Sequence, residues 1–179
     1  MSVKGMNKFV PPHWNPNNVK FPDKDIDEMI GLFKKIVPKQ NHNYSSFWNK
    51  CNPEVKWLPR YKEIIKDVLD HMGVYKYSEY TFNYWGQLYL NDDLHGVHHH
   101  FHEAADDKVD LSFVHFVRVD KPLFRFVNRK GDYYIPKQEE GDLLWFPSWV
   151  WHEVIPNKSD KERFIVAGNI SIKYMTCPK

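Results

Sequence analysis

The sequence predicts a mainly β domain, an antiparallel sandwich or barrel with flanking helices, on three observations. Aromatic residues make up 16% of the chain, which favours strands and a ring-lined interior over a helical bundle. From Val74 onward, aromatic and β-branched residues recur with period two, as in Tyr80, Phe82 and Tyr84. Turn signals punctuate the same stretch: Asn91-Asp92-Asp93, Ala105-Asp106-Asp107, Lys130-Gly131-Asp132, Glu140-Gly141-Asp142 and Asn157-Lys158-Ser159-Asp160. About eight short strands at this spacing suit a sandwich or barrel. The length of 179 residues is read as a single domain, 1–179.

Within it, residues 1–22 are rich in Pro, Asn and Lys and read as an N-terminal arm, anchored by Trp14 and Phe21. Residues 23–73 read as bracing helices. In the first, Ile26, Met29, Ile30, Phe33, Ile36 and Val37 recur at helical spacing, with Asp23 placed to cap and Pro38 to stop. In the second, Pro59 opens, Tyr61, Ile64, Ile65, Val68, Leu69 and Met72 form one face, and Gly73 closes. Residues 74–175 carry the β core. Strands are expected over 74–90, around 96–102, and over 111–119, 123–127, 132–135, 143–146, 151–155 and 163–173.

Composition narrows the function. Lys+Arg 25 against Asp+Glu 23 leaves a formal charge of +2, so a dedicated nucleic-acid partner is not expected. No stretch approaches the roughly 20 apolar residues that span a bilayer, and none resembles a signal peptide. The expectation is a cytoplasmic protein, or one of the host cytoplasm if the source is viral, with no membrane partner. Cys51 and Cys177 are too few for a disulfide scaffold and match no metal motif. Oligomeric state has no signature in the sequence.

The densest chemical feature is His95-Gly96-Val97-His98-His99-His100-Phe101-His102. On a strand, side chains two apart share a face about 7 Å apart, so His98 and His100 project together, with His102 in reach of the same side. Two imidazoles on one strand cannot close a coordination sphere, and His152 is the distant residue placed to join them. Arg163 follows across the turn after Pro156-Asn157. If the two flanking strands pair, Arg163 lies beside the strand of His152. Its planar fork suits a carboxylate in a way that lysine does not.

Phe146-Pro147-Ser148, His152, Val154, Pro156-Asn157, Ser159, Arg163 and Asn169 together resemble the closing motif of the 2-oxoglutarate/Fe(II) oxygenases found in phages and marine bacteria. His95-Gly96-Val97-His98-His99-His100 is similar to that family's H-G-W-H-x-H segment, and Leu111–Phe116 to its S-G-V-Y-Y strand. The resemblance covers roughly residues 85–172. It implies a double-stranded β-helix (a cupin-like jelly roll) and a dioxygenase or hydroxylase that uses Fe(II), 2-oxoglutarate and O2. Carried over by position, His98, His100 and His152 would be the metal ligands and Arg163 the 2-oxoglutarate clamp. Tyr84, Gln87 and Tyr89, on the strand before the histidine run, are candidates for the cosubstrate pocket. No catalytic side chain beyond the ligands is implied. The prime substrate is open between a prolyl-type side chain and a small molecule.

Two departures matter. The general triad is two His and one carboxylate, yet position 100 is His; Glu103, Asp106 and Asp107 are near enough in sequence to supply the acid. His115 stands where the family strand has Tyr, and is read as a core residue. Two rival readings follow: a cupin-like three-His metalloenzyme that needs no 2-oxoglutarate, or a non-catalytic jelly-roll binding or structural protein.

Overall fold

The computed structural model describes residues 9–37, 39–40, 43–46, 58–71, 78–101 and 109–174. In chain order the elements are β1 (Trp14–Asn18), α1 (Asp23–Ile36), β2 (Lys39–Gln40), β3 (Asn43–Ser45), α2 (Leu58–His71), β4 (Ser78–Tyr89), β5 (His95–His98) and β6 (Leu111–Arg118). The rest are β7 (Phe124–Val127), β8 (Tyr133–Tyr134), β9 (Asp142–Pro147), β10 (His152–Val154) and β11 (Arg163–Tyr174). Two antiparallel sheets result, one in the order β1-β9-β6-β11-β4-β3-β2, the other β5-β10-β7-β8. From β4 to β11 the chain alternates between them, with β7 and β8 together in the smaller one. That alternation is the path of a double-stranded β-helix.

The period-two pattern sorts side chains onto the two faces of the larger sheet. On β11, Phe164, Val166, Ile170 and Ile172 face the helices, while Ile165 and Ala167 face the opposing sheet. On β9, Leu143 and Trp145 go one way and Leu144 and Phe146 the other. The helix-facing core takes Ile26, Met29, Ile30 and Phe33 from α1 and Tyr61, Ile64, Ile65, Val68 and Leu69 from α2. Burying each such side chain contributes roughly 1.5–3 kcal/mol, so both predicted stripes are packing surface.

Several local expectations are corrected. Asp23 is the first residue of α1 rather than its cap; Pro22 holds the cap position and no side-chain hydrogen bond is made there. Residues 14–18 of the arm form an edge strand paired to β9, with Trp14 opposite Trp145. β2 and β3 continue the other edge beyond β4, and had no sequence signal at two and three residues. Pro38, Cys51, Met72, Gly73, His102, Glu103, Asp106, Asp107 and Cys177 lie outside the described residues.

The largest correction concerns Arg163. β10 pairs with β5 and β7, and β11 pairs with β4 and β6, so the two are not neighbours and sit in opposite sheets. The segment between them crosses from one sheet to the other. Asn157 fixes the crossing: buried, it donates from Nδ2 to the Lys161 carbonyl at 3.0 Å, while its backbone exchanges hydrogen bonds with Asp92 and Asp93.

Candidate metal and cosubstrate site

His152 on β10 lies directly opposite His98 on β5 in the antiparallel register. Cross-strand partners of this kind project from the same face within about 5.5 Å at Cβ. His100 follows two positions after His98, and its N–H donates to the Ser148 carbonyl at 2.8 Å. Ser148 is itself buried, its hydroxyl donating to the Val109 carbonyl and its N–H to that of Asp110. The Phe146-Pro147-Ser148 segment thus pins His100 against the loop that leads to His152. One nitrogen from each of His98, His100 and His152 lies within 4.8 Å of the other two.

Hydrogen bonding selects the tautomers. Nδ1 of His98 lies 2.8 Å from the Gly96 carbonyl, and Nδ1 of His152 lies 2.9 Å from that of Val150. A carbonyl only accepts, so both rings carry their proton on Nδ1 and leave Nε2 bare, the form a cation takes up. Nε2 of His152 faces Nε2 of His100 at 3.3 Å. Burial lowers the His98 pKa, offset in part by the Gly96 carbonyl. It lowers that of His152 well below the usual imidazole range, and the neighbouring His98 and His100 push it the same way. Both rings are therefore neutral at pH 7. Among the described residues the cluster contains no carboxylate.

Phe124 and Phe146 pack on the His152 ring, with centroids 5.4 and 4.8 Å away, and make its back wall apolar. Trp85 lies 5.9 Å from His100 by the same measure. The histidines open onto a narrow cleft, which Gln87 and Tyr89 also line.

Arg163 reaches the inter-sheet space from the opposing sheet. It is 2% exposed, with its Cζ 5.1 Å above the Tyr89 ring and 5.7 Å from that of Phe116. Nε, Nη1 and Nη2 have no hydrogen-bond partner among the described residues. Burial lowers its pKa to about 10, so it stays charged at neutral pH. A buried guanidinium with five unused donors is costly unless an anion completes it.

Of the cosubstrate candidates on β4, Gln87 and Tyr89 face this cleft and Tyr84 does not. Tyr84 has the opposite parity on the strand and packs on Tyr61 of α2 at 5.2 Å, inside the helix-facing core. The Tyr89 hydroxyl donates to Gln87 Oε1 at 2.7 Å. Burial pushes the Tyr89 pKa well above the usual phenol range, against the opposing pull of Arg163, so it remains a donor.

His115 lies on the helix side. Its Nε2 donates to the Val19 carbonyl at 2.8 Å and its Nδ1 faces the Tyr61 hydroxyl at 2.8 Å. The residue sequence reasoning passed over is His95, which lines the cleft and stacks on His98 at 4.1 Å. Its membership of the histidine run was the available signal.

Residues 106–169 match a family model described as "Putative 2OG-Fe(II) oxygenase". No curated protein sequence matches the chain. Among solved structures, a Pseudomonas putida prolyl-4-hydroxylase is 16% identical, with a TM-score of 0.62 over 92% of this chain and 94% of that one. The viral collagen prolyl hydroxylase of Paramecium Bursaria Chlorella virus-1, in its 2OG complex, is 14% identical, with a TM-score of 0.63 over 88% and 94%. HygX from Streptomyces hygroscopicus, with nickel and 2-oxoglutarate bound, is 10% identical, with a TM-score of 0.63 over 89% and 82%. At these identities the likeness is one of fold.

Proposed function

We propose that this chain is a 2-oxoglutarate/Fe(II) dioxygenase whose metal sits on His98, His100 and His152 and whose 2-oxoglutarate is held by Arg163. The observation that carries the reading is the orphaned Arg163 guanidinium, buried between the sheets beside a cleft that three imidazoles line. A three-His metalloenzyme without 2-oxoglutarate would have no use for a buried, unpaired cation.

When bound, Fe(II) and 2-oxoglutarate supply the oxidising chemistry, in which one oxygen atom of O2 goes to succinate and the other to the substrate, with release of CO2. The chain's own contribution is to hold and to exclude. His98 and His152 present bare Nε2 atoms, each ring locked by a bond to its own backbone. Arg163 offers a two-pronged contact to a carboxylate. Phe124, Phe146 and Trp85 keep the histidine end of the cleft apolar, which strengthens electrostatic contacts inside it.

For the prime substrate we infer a prolyl-type side chain or a small molecule with an apolar face. Val97, Phe101 and Trp149 are each about half exposed and lie within three positions of a proposed ligand, which suits an apolar group better than a charged one. The direct test is metal analysis of the purified protein with a turnover assay lacking prime substrate. Fe(II)- and O2-dependent release of succinate is expected. Its absence, together with the absence of a visible charge-transfer band on anaerobic addition of 2-oxoglutarate, would refute the reading.

A further inference from the structure

The fourth imidazole in the cleft is set up differently from its neighbours. His95 stacks on His98 with ring centroids 4.1 Å apart and planes 20° from parallel. It stands outside the three imidazoles whose nitrogens converge, and its hydrogen bonding gives it a different role. Tyr89 gives its hydroxyl proton to Gln87 Oε1, because an amide oxygen carries no proton and can only accept. That fixes the Gln87 side chain with its NH2 group directed away from Tyr89, toward Nδ1 of His95 at 3.4 Å. An NH2 group only donates, so Nδ1 of His95 accepts and its ring proton sits on Nε2. This is the opposite tautomer to His98 and His152, whose Nδ1 atoms face carbonyls.

We propose that His95 is a hydrogen-bond donor to 2-oxoglutarate in the cleft, held in that role by Tyr89 and Gln87, and is not a metal ligand. The inference rests on the cosubstrate reading above and adds a residue to it. Its Nε2–H has no partner among the described residues, and His95 lines the same cleft as the three proposed ligands. Tyr89 carries the stacked Arg163 guanidinium on its ring and the Gln87 bond on its hydroxyl, so one residue braces both the proposed anion clamp and the second donor. Gln87 and Tyr89 are then positioning residues: they act on the cosubstrate through His95 and Arg163.

The test compares the parent with His95→Phe, His95→Asn and Gln87→Leu as Fe(II)-loaded proteins under anaerobic conditions, reading metal stoichiometry and 2-oxoglutarate affinity separately. His95→Phe keeps the stack, so iron stoichiometry should stay at the parent value while 2-oxoglutarate binding weakens about tenfold, as expected for one lost hydrogen bond to a charged group. His95→Asn restores an N–H and should recover part of that loss. Gln87→Leu should weaken 2-oxoglutarate in the same direction, and add little to His95→Phe when combined with it. Nitrogen-15 NMR of the metal-free parent should show the His95 proton on Nε2, and a mixture of tautomers after Gln87→Leu. Loss of iron in His95→Phe makes His95 a ligand and overturns the proposal; so does parent-like 2-oxoglutarate affinity in that variant. If the parent itself fails to bind 2-oxoglutarate, the cosubstrate reading falls and this proposal with it, and the two failures are thereby told apart.

Discussion

The two faces of the larger sheet each bury a cationic or potentially cationic side chain, and treat it in opposite ways. On the helix side, His115 has both ring nitrogens engaged, one by the Val19 carbonyl and one by the Tyr61 hydroxyl. On the side facing the smaller sheet, Arg163 is as deeply buried yet makes no hydrogen bond to any described residue through its three nitrogens. A satisfied buried polar group specifies packing, whereas an unsatisfied one stores free energy that a ligand can release. On the proposed function, the difference gives stability to one face and binding to the other.

The comparison breaks most visibly at the histidine cluster. His152→Ala removes a proposed ligand from the centre of the cleft, and metal affinity should fall by about a hundredfold or more. The same substitution leaves a gap against Phe124 and Phe146 and takes the Nδ1 donor from the Val150 carbonyl, so the metal-free protein should lose stability by only roughly 1–3 kcal/mol. Equilibrium dialysis with elemental analysis measures the first and calorimetry the second. Retention of stoichiometric iron would move the metal site elsewhere.

Arg163 gives the next largest effect. Arg163→Met removes the orphan charge but keeps an unbranched stem against Tyr89 and Phe116. Affinity for 2-oxoglutarate should drop about a hundredfold, equivalent to roughly 2.7 kcal/mol. Stability without ligand should hold or rise, because a buried cation without a partner opposes folding. Unchanged affinity in an anaerobic titration would remove Arg163 from the site. A large loss of stability would show that it serves packing, as His115 does.

His115 sharpens the contrast through pH. Burial holds its pKa at about 4, against the small upward pull of the Val19 carbonyl, whereas in the unfolded chain it titrates near 6.5. Above pH 6.5 both states are neutral and the contribution is intact. As pH falls below 6.5 the unfolded chain takes up a proton that the folded one refuses, so stability declines until about pH 4 and then levels off. The expected loss is of the order of 3 kcal/mol. His115→Gln retains a donor toward Val19 and an acceptor toward Tyr61, and should lose less stability than the parent across this window. Denaturant melts at several pH values read the difference; equal slopes for the two proteins would contradict the assignment.

The sequence carried much of this arrangement, and the gaps have physical causes. Strands β4 to β11 were legible because their apolar residues alternate and turn-forming residues separate them. His98 and His100 were legible as one face because strand parity needs no tertiary information. The same parity rule set Tyr84 apart from Gln87 and Tyr89, since 84 and 87 differ by an odd number, so that correction was available from the numbering alone. The position of Arg163 was not. Pairing β10 with β11 assumed that consecutive strands are neighbours, whereas in this fold the connection crosses between sheets and the partners of β11 are β4 and β6, both distant in sequence. Strand β1 hid in a stretch rich in Pro and Asn because its order comes from the β9 edge rather than from its own pattern.

The smallest effect tests whether the two faces are independent. Gly168 on β11 lies where the Phe113 ring presses against the backbone: an added Cβ would come within 2.4 Å of that ring and 2.6 Å of the Asn83 carbonyl oxygen. The ring can turn within the helix-facing core, but the carbonyl is backbone, so β11 and β4 must also part slightly at this point, at a cost of roughly 1–3 kcal/mol or more. Gly168 also borders the cleft, but its new methyl would point toward Phe113 and away from the histidines. Gly168→Ala should therefore lower the unfolding midpoint while iron and 2-oxoglutarate affinities stay within about twofold of the parent. A parallel fall in 2-oxoglutarate affinity would mean that strain on the helix side is transmitted through β11 to Arg163, five residues earlier on the same strand. The sheet would then be a coupling element rather than a partition.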